Sequence, residues 1–195
     1  MSDTEQKIQE AIELHRADKT VDGLAILDEL IPILEDQRVA TFVRGCLRVA
    51  NEDSQGAISD WEQALEGDLQ LAAALHSQHT ALVDKALYDF HFETTVEAND
   101  ANVHSALGRA YRLFGRFDEA IQSLVRSTEL SRSMWRDGVV AVELQLKMGL
   151  VEQAQALVTG LLESRQDNGE LHYQAGRIYQ MQNSLAFALR HLERA

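Results

Sequence analysis

Three histidines and an aspartate crowd one short stretch, LHSQHTALVDKALYDFHF, in which His76, His79 and His91 surround Asp84. Imidazole and carboxylate are zinc ligands, and a His-x-x-His pair on one helix turn sets two of them side by side. The stretch lacks the further ligands that complete a zinc signature, so neither a metal nor a cofactor is expected there. The remaining histidines, His15, His104, His172 and His191, are scattered and read as surface or packing residues. The single cysteine, Cys46, has no histidine in register, and a helix interior does not activate a thiol as an exposed helix start does. No glycine-rich phosphate loop, strand–turn–helix serine motif or distinct carboxylate pair stands out from the acidic background. These residues do not predict an enzyme.

The elements that must position any site are helices. Of 195 residues 45% are apolar, enough for a continuous core, and one proline, eleven glycines and few aromatics disfavour a sheet protein. No stretch approaches the roughly 18 apolar residues of a membrane span, and the opening MSDTEQKIQEAIEL lacks the basic and apolar regions of an export signal. With one cysteine there is no internal disulfide, and a cytoplasmic location is the expectation. The net charge of −13 argues against nucleic acid, whose phosphates require clustered Lys and Arg. Residues 1–100 carry seven Lys/Arg against twenty-one Asp/Glu, or −14, whereas residues 101–195 carry eleven against ten, or +1. Such a charge asymmetry concerns partners more than fold.

A period of 34 residues organises the chain. Its clearest copy, VHSALGRAYRLFGRFDEAIQSLVRSTEL, contains Leu107, Gly108 and Tyr111, then Gly115, Phe117, Ala120 and Leu124. Steps of 34 carry Ala120 to Ala154 and Ala188 and, backwards, to Ala86; Gly115 is carried to Gly149, and Gly176 and Tyr179 restore the first element. Upstream the register slips by five residues to Ala57, with Trp61 and Ala64, and a further 34 back lies Gly23 with Leu27 and Leu30. The chain divides into about six units: 4–37, 38–71, a compressed 72–100, 101–134, 135–168 and a truncated 169–195.

These residues resemble the tetratricopeptide repeat: L-G-x-x-Y, then G-x-[YF]-x-x-A, then a large apolar residue. The resemblance covers essentially the whole chain, although the proline that ends each repeat is missing. It implies an all-α, right-handed superhelical solenoid of about six helix pairs, forming a single array over 1–195, in which small residues mark close helix approaches and each unit buries its apolar stripe against the next. It leaves Ile178, Phe187, Ala188 and Leu192 partly uncovered on the terminal face, to be covered either by further chain or by another subunit, as in a homodimer.

In such proteins the first helix of each unit lines a concave groove. Carried onto this sequence, the register places Asn102, Ser105, Arg109, Arg112 and Leu113 there, then Arg136, Val139, Glu143 and Lys147, then Tyr173, Arg177, Gln180 and Met181. Arg109, Arg112, Lys147 and Arg177, with Tyr173 as an apolar platform, form the candidate partner-binding set, suited to an acidic peptide or a terminal carboxylate. The Lys/Asn set with which some relatives clamp chaperone termini is absent. In 38–71 the same register lists Val39, Phe42, Cys46, Val49 and Ala50, which is either an apolar groove or core. The resemblance implies a protein-interaction module or scaffold, and the hydropathy adds the expectation of no membrane partner; the alternative is the amino-terminal targeting array of a larger transferase- or hydroxylase-type enzyme.

Overall fold

In a computed structural model of the chain, residues 2–195 are described, apart from the side chain of Thr94. Among them are twelve α-helices and no strand. They are α1 (Asp3–Arg16), α2 (Thr20–Leu30), α3 (Arg38–Ala50), α4 (Ser54–Leu65), α5 (Leu69–Gln78), α6 (Thr80–Val96), α7 (Ala101–Leu113), α8 (Phe117–Leu130), α9 (Trp135–Lys147), α10 (Val151–Ser164), α11 (Gly169–Met181) and α12 (Leu185–Leu192). The fold is all-α.

Five helix pairs close through one turn, and its chemistry recurs with the period of the sequence. Asp18, Glu52, Gly115, Gly149 and Asn183 each adopt a left-handed backbone, with φ of 58°, 61°, 72°, 76° and 58°. After each, the next amide reaches five residues back to the last helical turn: Lys19 to Leu14, Asp53 to Arg48, Arg116 to Tyr111, Leu150 to Gln145 and Ser184 to Tyr179, at 2.8–2.9 Å. This is the Schellman closure, which satisfies carbonyls that the helix end would otherwise leave bare. Glycine meets the left-handed requirement without strain at 115 and 149, as expected from sequence; Asp18, Glu52 and Asn183 meet it with a Cβ.

The pair α5–α6 is built differently. A single residue, His79, joins the two helices, with φ −123° and no left-handed turn. Successive first helices begin at residues 3, 38, 69, 101, 135 and 169, so a spacing of 34 beyond residue 101 drops to 31 and 32 on either side of α5. These two shortfalls, of three and two residues, are the origin of the slip of five. α5 is the shorter partner at 10 residues and α6 runs for 17, packing on α3.

The chain forms two compact units, Met1–Ala98 with Arg109–Arg116, and Asn99–Gly108 with Phe117–Ala195, so that α7 contributes to both. In the first, α3 packs against α1, α2, α4 and α6. Gly45 brings α3 close to α4: an added Cβ would stand 2.7 Å from the Trp61 ring. Trp61 is fully buried and its indole donates to the Phe42 carbonyl at 3.2 Å. Phe90 of α6 lies 5.8 Å from Trp61, and Phe114 meets Trp61 edge-on at 5.2 Å and Phe42 at 6.0 Å, between ring centroids. Such pairs add about 0.5–1.5 kcal/mol each beyond area burial.

In the second unit Gly108 faces Leu124 of α8, Gly138 faces Leu161 of α10 and Gly176 faces Leu192 of α12, each too close for a Cβ without movement. Ala120, Ala154 and Ala188 are buried on the second helices. Val142, Leu146, Val158, Leu171 and Ile178 continue the core through α9, α10 and α11.

Candidate partner-binding surfaces

Arg109 and Arg112 stand one turn apart at the end of α7 and converge on one carboxylate in the first unit. The Arg109 guanidinium donates to Glu62 at 2.8 and 3.3 Å, and Arg112 stands 3.6 Å from the same group. All three side chains are about one-third to two-fifths exposed. Two guanidiniums against one carboxylate leave one positive charge on a partly hydrated surface, where an ion pair is worth only about 0.2–1 kcal/mol.

The other three predicted residues lie in the second unit. Lys147, at the end of α9, is exposed, with its ammonium 4.4 Å from the centre of the Phe117 ring. Tyr173 of α11 is 49% exposed and carries the Arg177 guanidinium 5.8 Å from its ring centroid. Arg177 also donates to Gln174 at 3.1 Å, and Gln174 in turn donates to Glu143 of α9 at 3.0 Å. Tyr173 and Arg177 are thus brought together on a polar relay between α9 and α11, whereas Lys147 is held separately against an aromatic face.

Several positions that the register turned toward a groove are core instead. Ser105, Leu113 and Val139 are buried, as are Phe42, Cys46 and Val49 of the 38–71 set, which belong to the core, whereas Val39 is half-buried and Ala50 exposed. Burial pushes the Cys46 thiol up to about 12, so it is protonated at neutral pH. On the terminal helices Ile178 and Ala188 are covered; on α12 the exposed large apolar residues are Leu185, Phe187 and Leu189. The histidine stretch does not converge: His76 pairs with Asp84 at 2.8 Å and meets Phe114 edge-on, while His79 packs toward Phe42. No group of three or more metal-capable side chains occurs among the described residues.

Two features were not read from the sequence. On α3, Arg44 and Arg48 share the buried Asp60 of α4 at 2.7 and 3.1 Å, and Arg44 extends to Asp28 of α2. Their spacing of four on a helix that is otherwise apolar was the available signal. In the second unit a cleft of about 330 Å³ lies among α10, α11 and α12, lined by Val158, Leu162, Ile178, Tyr179, His172 and His191. His172 donates through Nε2 to the Gln166 carbonyl at 2.7 Å, so in the neutral pair its Nδ1 accepts from His191 at 2.9 Å. Burial, followed by neighbouring His172, Arg194 and Arg190, holds His191 below the ordinary imidazole value.

No family model matches the sequence, and no curated protein matches it; the likeness lies in structure. A crystal structure of MamA is similar over 77% of this chain and 91% of its own, at 16% identity and a TM-score of 0.51. A second MamA structure is similar over 81% and 89%, at 17% identity and 0.51. YrrB, described as a TPR protein with an unusual peptide-binding site, is similar over 96% and 82%, at 16% identity and 0.47. MamA is a tetratricopeptide-repeat protein, and likeness at this identity establishes the fold. The chain has the tetratricopeptide-like helix-hairpin fold. No helix among the described residues is long and apolar enough to cross a membrane.

Proposed function

We propose that the chain is a protein-interaction module that takes acidic segments of a partner on cationic patches of its first helices. The residues are Arg109 and Arg112 in one unit and Lys147, Tyr173 and Arg177 in the other. The observation that carries this reading is the exposed Tyr173 ring beneath an Arg177 guanidinium already oriented by Gln174. A planar cation fixed over an aromatic platform offers a carboxylate a preset donor and an adjoining side chain an apolar rest. Arg109 and Arg112 support it from the first unit, because their half-exposed pairing with Glu62 is weak enough to be exchanged for an incoming carboxylate. The fold also supports an interaction role, since helix-hairpin repeats present extended surfaces to partners.

The test is fluorescence anisotropy with a labelled Glu/Asp-rich peptide carrying one aromatic residue. Arg109→Glu with Arg112→Glu, and separately Lys147→Glu with Arg177→Glu, are each expected to weaken binding at least about tenfold, a loss of about 1.4 kcal/mol. Unchanged affinity in both double variants overturns the assignment.

A second reading, association of two copies through α12, is favoured by Leu185, Phe187 and Leu189, exposed at 67%, 55% and 59%. Light scattering is expected to show a dimer that Phe187→Ser with Leu189→Ser dissociates. A wild-type monomer at all accessible concentrations contradicts it.

A further inference from the structure

Helix α6 is apolar on two opposite faces. Its inward face, Leu82, Val83, Ala86, Leu87 and Phe90, is buried in the first unit. On the opposite side Tyr88, Phe92 and Val96 follow one another at intervals of four and are exposed at 66%, 55% and 68%. At 1.5 Å per residue they form a ridge about 12 Å long. Contiguous exposed apolar surface marks an interaction site more often than a scattered apolar side chain does. α6 also belongs to the one pair that departs from the repeat turn, joined only through His79. The ridge therefore sits on the element least explained by the requirements of stacking.

Charge around the ridge selects its occupant. Asp84, paired with His76 at 2.8 Å, borders one side, Asp89 and Glu93 the other, and Glu97 follows the last residue of the ridge; Lys85 is bound to Asp89 at 2.7 Å. Glu93 accepts from Ser54 at 3.0 Å, and its carboxyl lies above the ordinary range through burial first, then through Glu97, Glu52 and Asp89. The unit as a whole is strongly acidic: residues 1–98 hold twenty Asp/Glu and seven Lys/Arg, residues 109–116 add three Arg, and the net charge is −10. A second copy of this unit would bring the same carboxylates face to face, and an anionic lipid surface would be repelled for the same reason. A partner with apolar side chains along one stripe and Lys or Arg beside them satisfies both the ridge and its rim.

We propose that the Tyr88–Phe92–Val96 ridge of α6 is a docking site for a basic amphipathic helix of another protein, its apolar stripe packing along the three side chains and its cations meeting Asp84, Asp89 and Glu93. This surface is separate from the cationic patches and takes ligands of opposite charge.

The probe is a fluorescein-labelled Leu/Lys peptide of about 15 residues, the length at which an isolated helix becomes marginal in water, patterned to place leucine on one face. A matched Leu/Glu peptide is its control. Anisotropy with the full chain is expected to show saturable binding of the Leu/Lys peptide, at least about tenfold weaker for Tyr88→Ser with Phe92→Ser, and no binding of the Leu/Glu peptide. The substituted side chains are exposed, so circular dichroism of that variant should match the parent. A second variant, Asp84→Asn with Glu93→Gln, is expected to weaken binding and flatten its salt dependence while the apolar ridge stays intact. Equal binding to parent and Tyr88→Ser/Phe92→Ser overturns the proposal, as does equal binding of the two peptides. Dimerisation of the parent chain that the same double substitution abolishes, or comparable binding to anionic vesicles, also overturns it by assigning the ridge to another occupant.

Discussion

Gly108 and Gly160 occupy helix interiors, yet the packing around them requires alanine to act in opposite directions. A Cβ on Gly108 would stand 2.6 Å from Leu124 Cγ, 2.8 Å from its Cδ2 and 3.1 Å from its backbone nitrogen. Leu124 is fully buried, so its side chain has no solvent to swing into, and the backbone contact can be relieved only by moving α8. Overpacking of this kind costs about 1–3 kcal/mol, against which alanine recovers about 1 kcal/mol of helix propensity. Gly108→Ala is thus expected to destabilise by about 1 kcal/mol, within a span of about 0–2 kcal/mol. At Gly160, on the exposed face of α10, a Cβ meets no atom within 4 Å. Gly160→Ala is expected to stabilise by about 0.5–1 kcal/mol. Urea unfolding followed by circular dichroism should separate the two variants by about 2 kcal/mol. Adding Leu124→Ala to Gly108→Ala should cost less than the sum of the single changes, with a coupling of about 0.5–3 kcal/mol, because the new methyl enters the vacated space. Equal stability of the two glycine variants, or strict additivity in the cycle, would refute the claim that close backbone approach dictates glycine at position 108.

Other expectations follow from the turns and the buried histidines. Glu52 holds a left-handed backbone that costs an L-residue about 1–2 kcal/mol, so Glu52→Gly should raise the unfolding midpoint by an amount worth about 0.5–1 kcal/mol after glycine's own entropy cost. Asn183→Gly should gain less, because asparagine tolerates that conformation better; a loss at both sites on thermal unfolding would contradict the turn assignment. Burial holds His79 below the ordinary imidazole value of about 6.5. With the folded pKa depressed, the unfolded chain takes up the proton first, so this contribution is present above about pH 6.5 and is lost as pH falls through the folded value. Between about pH 7.5 and 5.5 the stability of His79→Gln should therefore fall less steeply than that of the parent; parallel slopes would remove His79 from the account.

Much of the hairpin architecture is legible in residue types because the constraint is local. Gly115 and Gly149 announce a left-handed turn, and Gly108, Gly176 and the alanines at 120, 154 and 188 mark close approaches that exclude larger side chains. The equivalent turns at Asp18 and Asn183 carry only the weak left-handed tolerance of Asp and Asn, and Glu52 carries no signal at all, its conformation being imposed by the packed helices on either side. The α5–α6 link is illegible for a related reason: His79 has ordinary backbone angles, and only the shortened spacing betrays it.

The candidate surfaces are less legible, because a register assigns a helix face but not what packs on it. Ser105, Leu113 and Val139 lie on the assigned face and are buried nonetheless, whereas Tyr173 and Lys147 on the same face are exposed. The convergence of Arg109 and Arg112 on Glu62 joins residues about 50 apart in sequence, beyond the reach of any spacing argument within one repeat. Asp60 illustrates the same point, since its enclosure by Arg44 and Arg48 of the neighbouring helix is visible only in the packed structure.

Mapping amide shifts in a titration with the Glu/Asp-rich peptide asks whether the cationic first-helix patches receive acidic partners. Perturbations are expected to concentrate at 109–113, at the end of α9 near Lys147, and along Tyr173–Arg177. Perturbations confined to the α6 ridge or the α12 surface, or none at saturating peptide, would contradict that role.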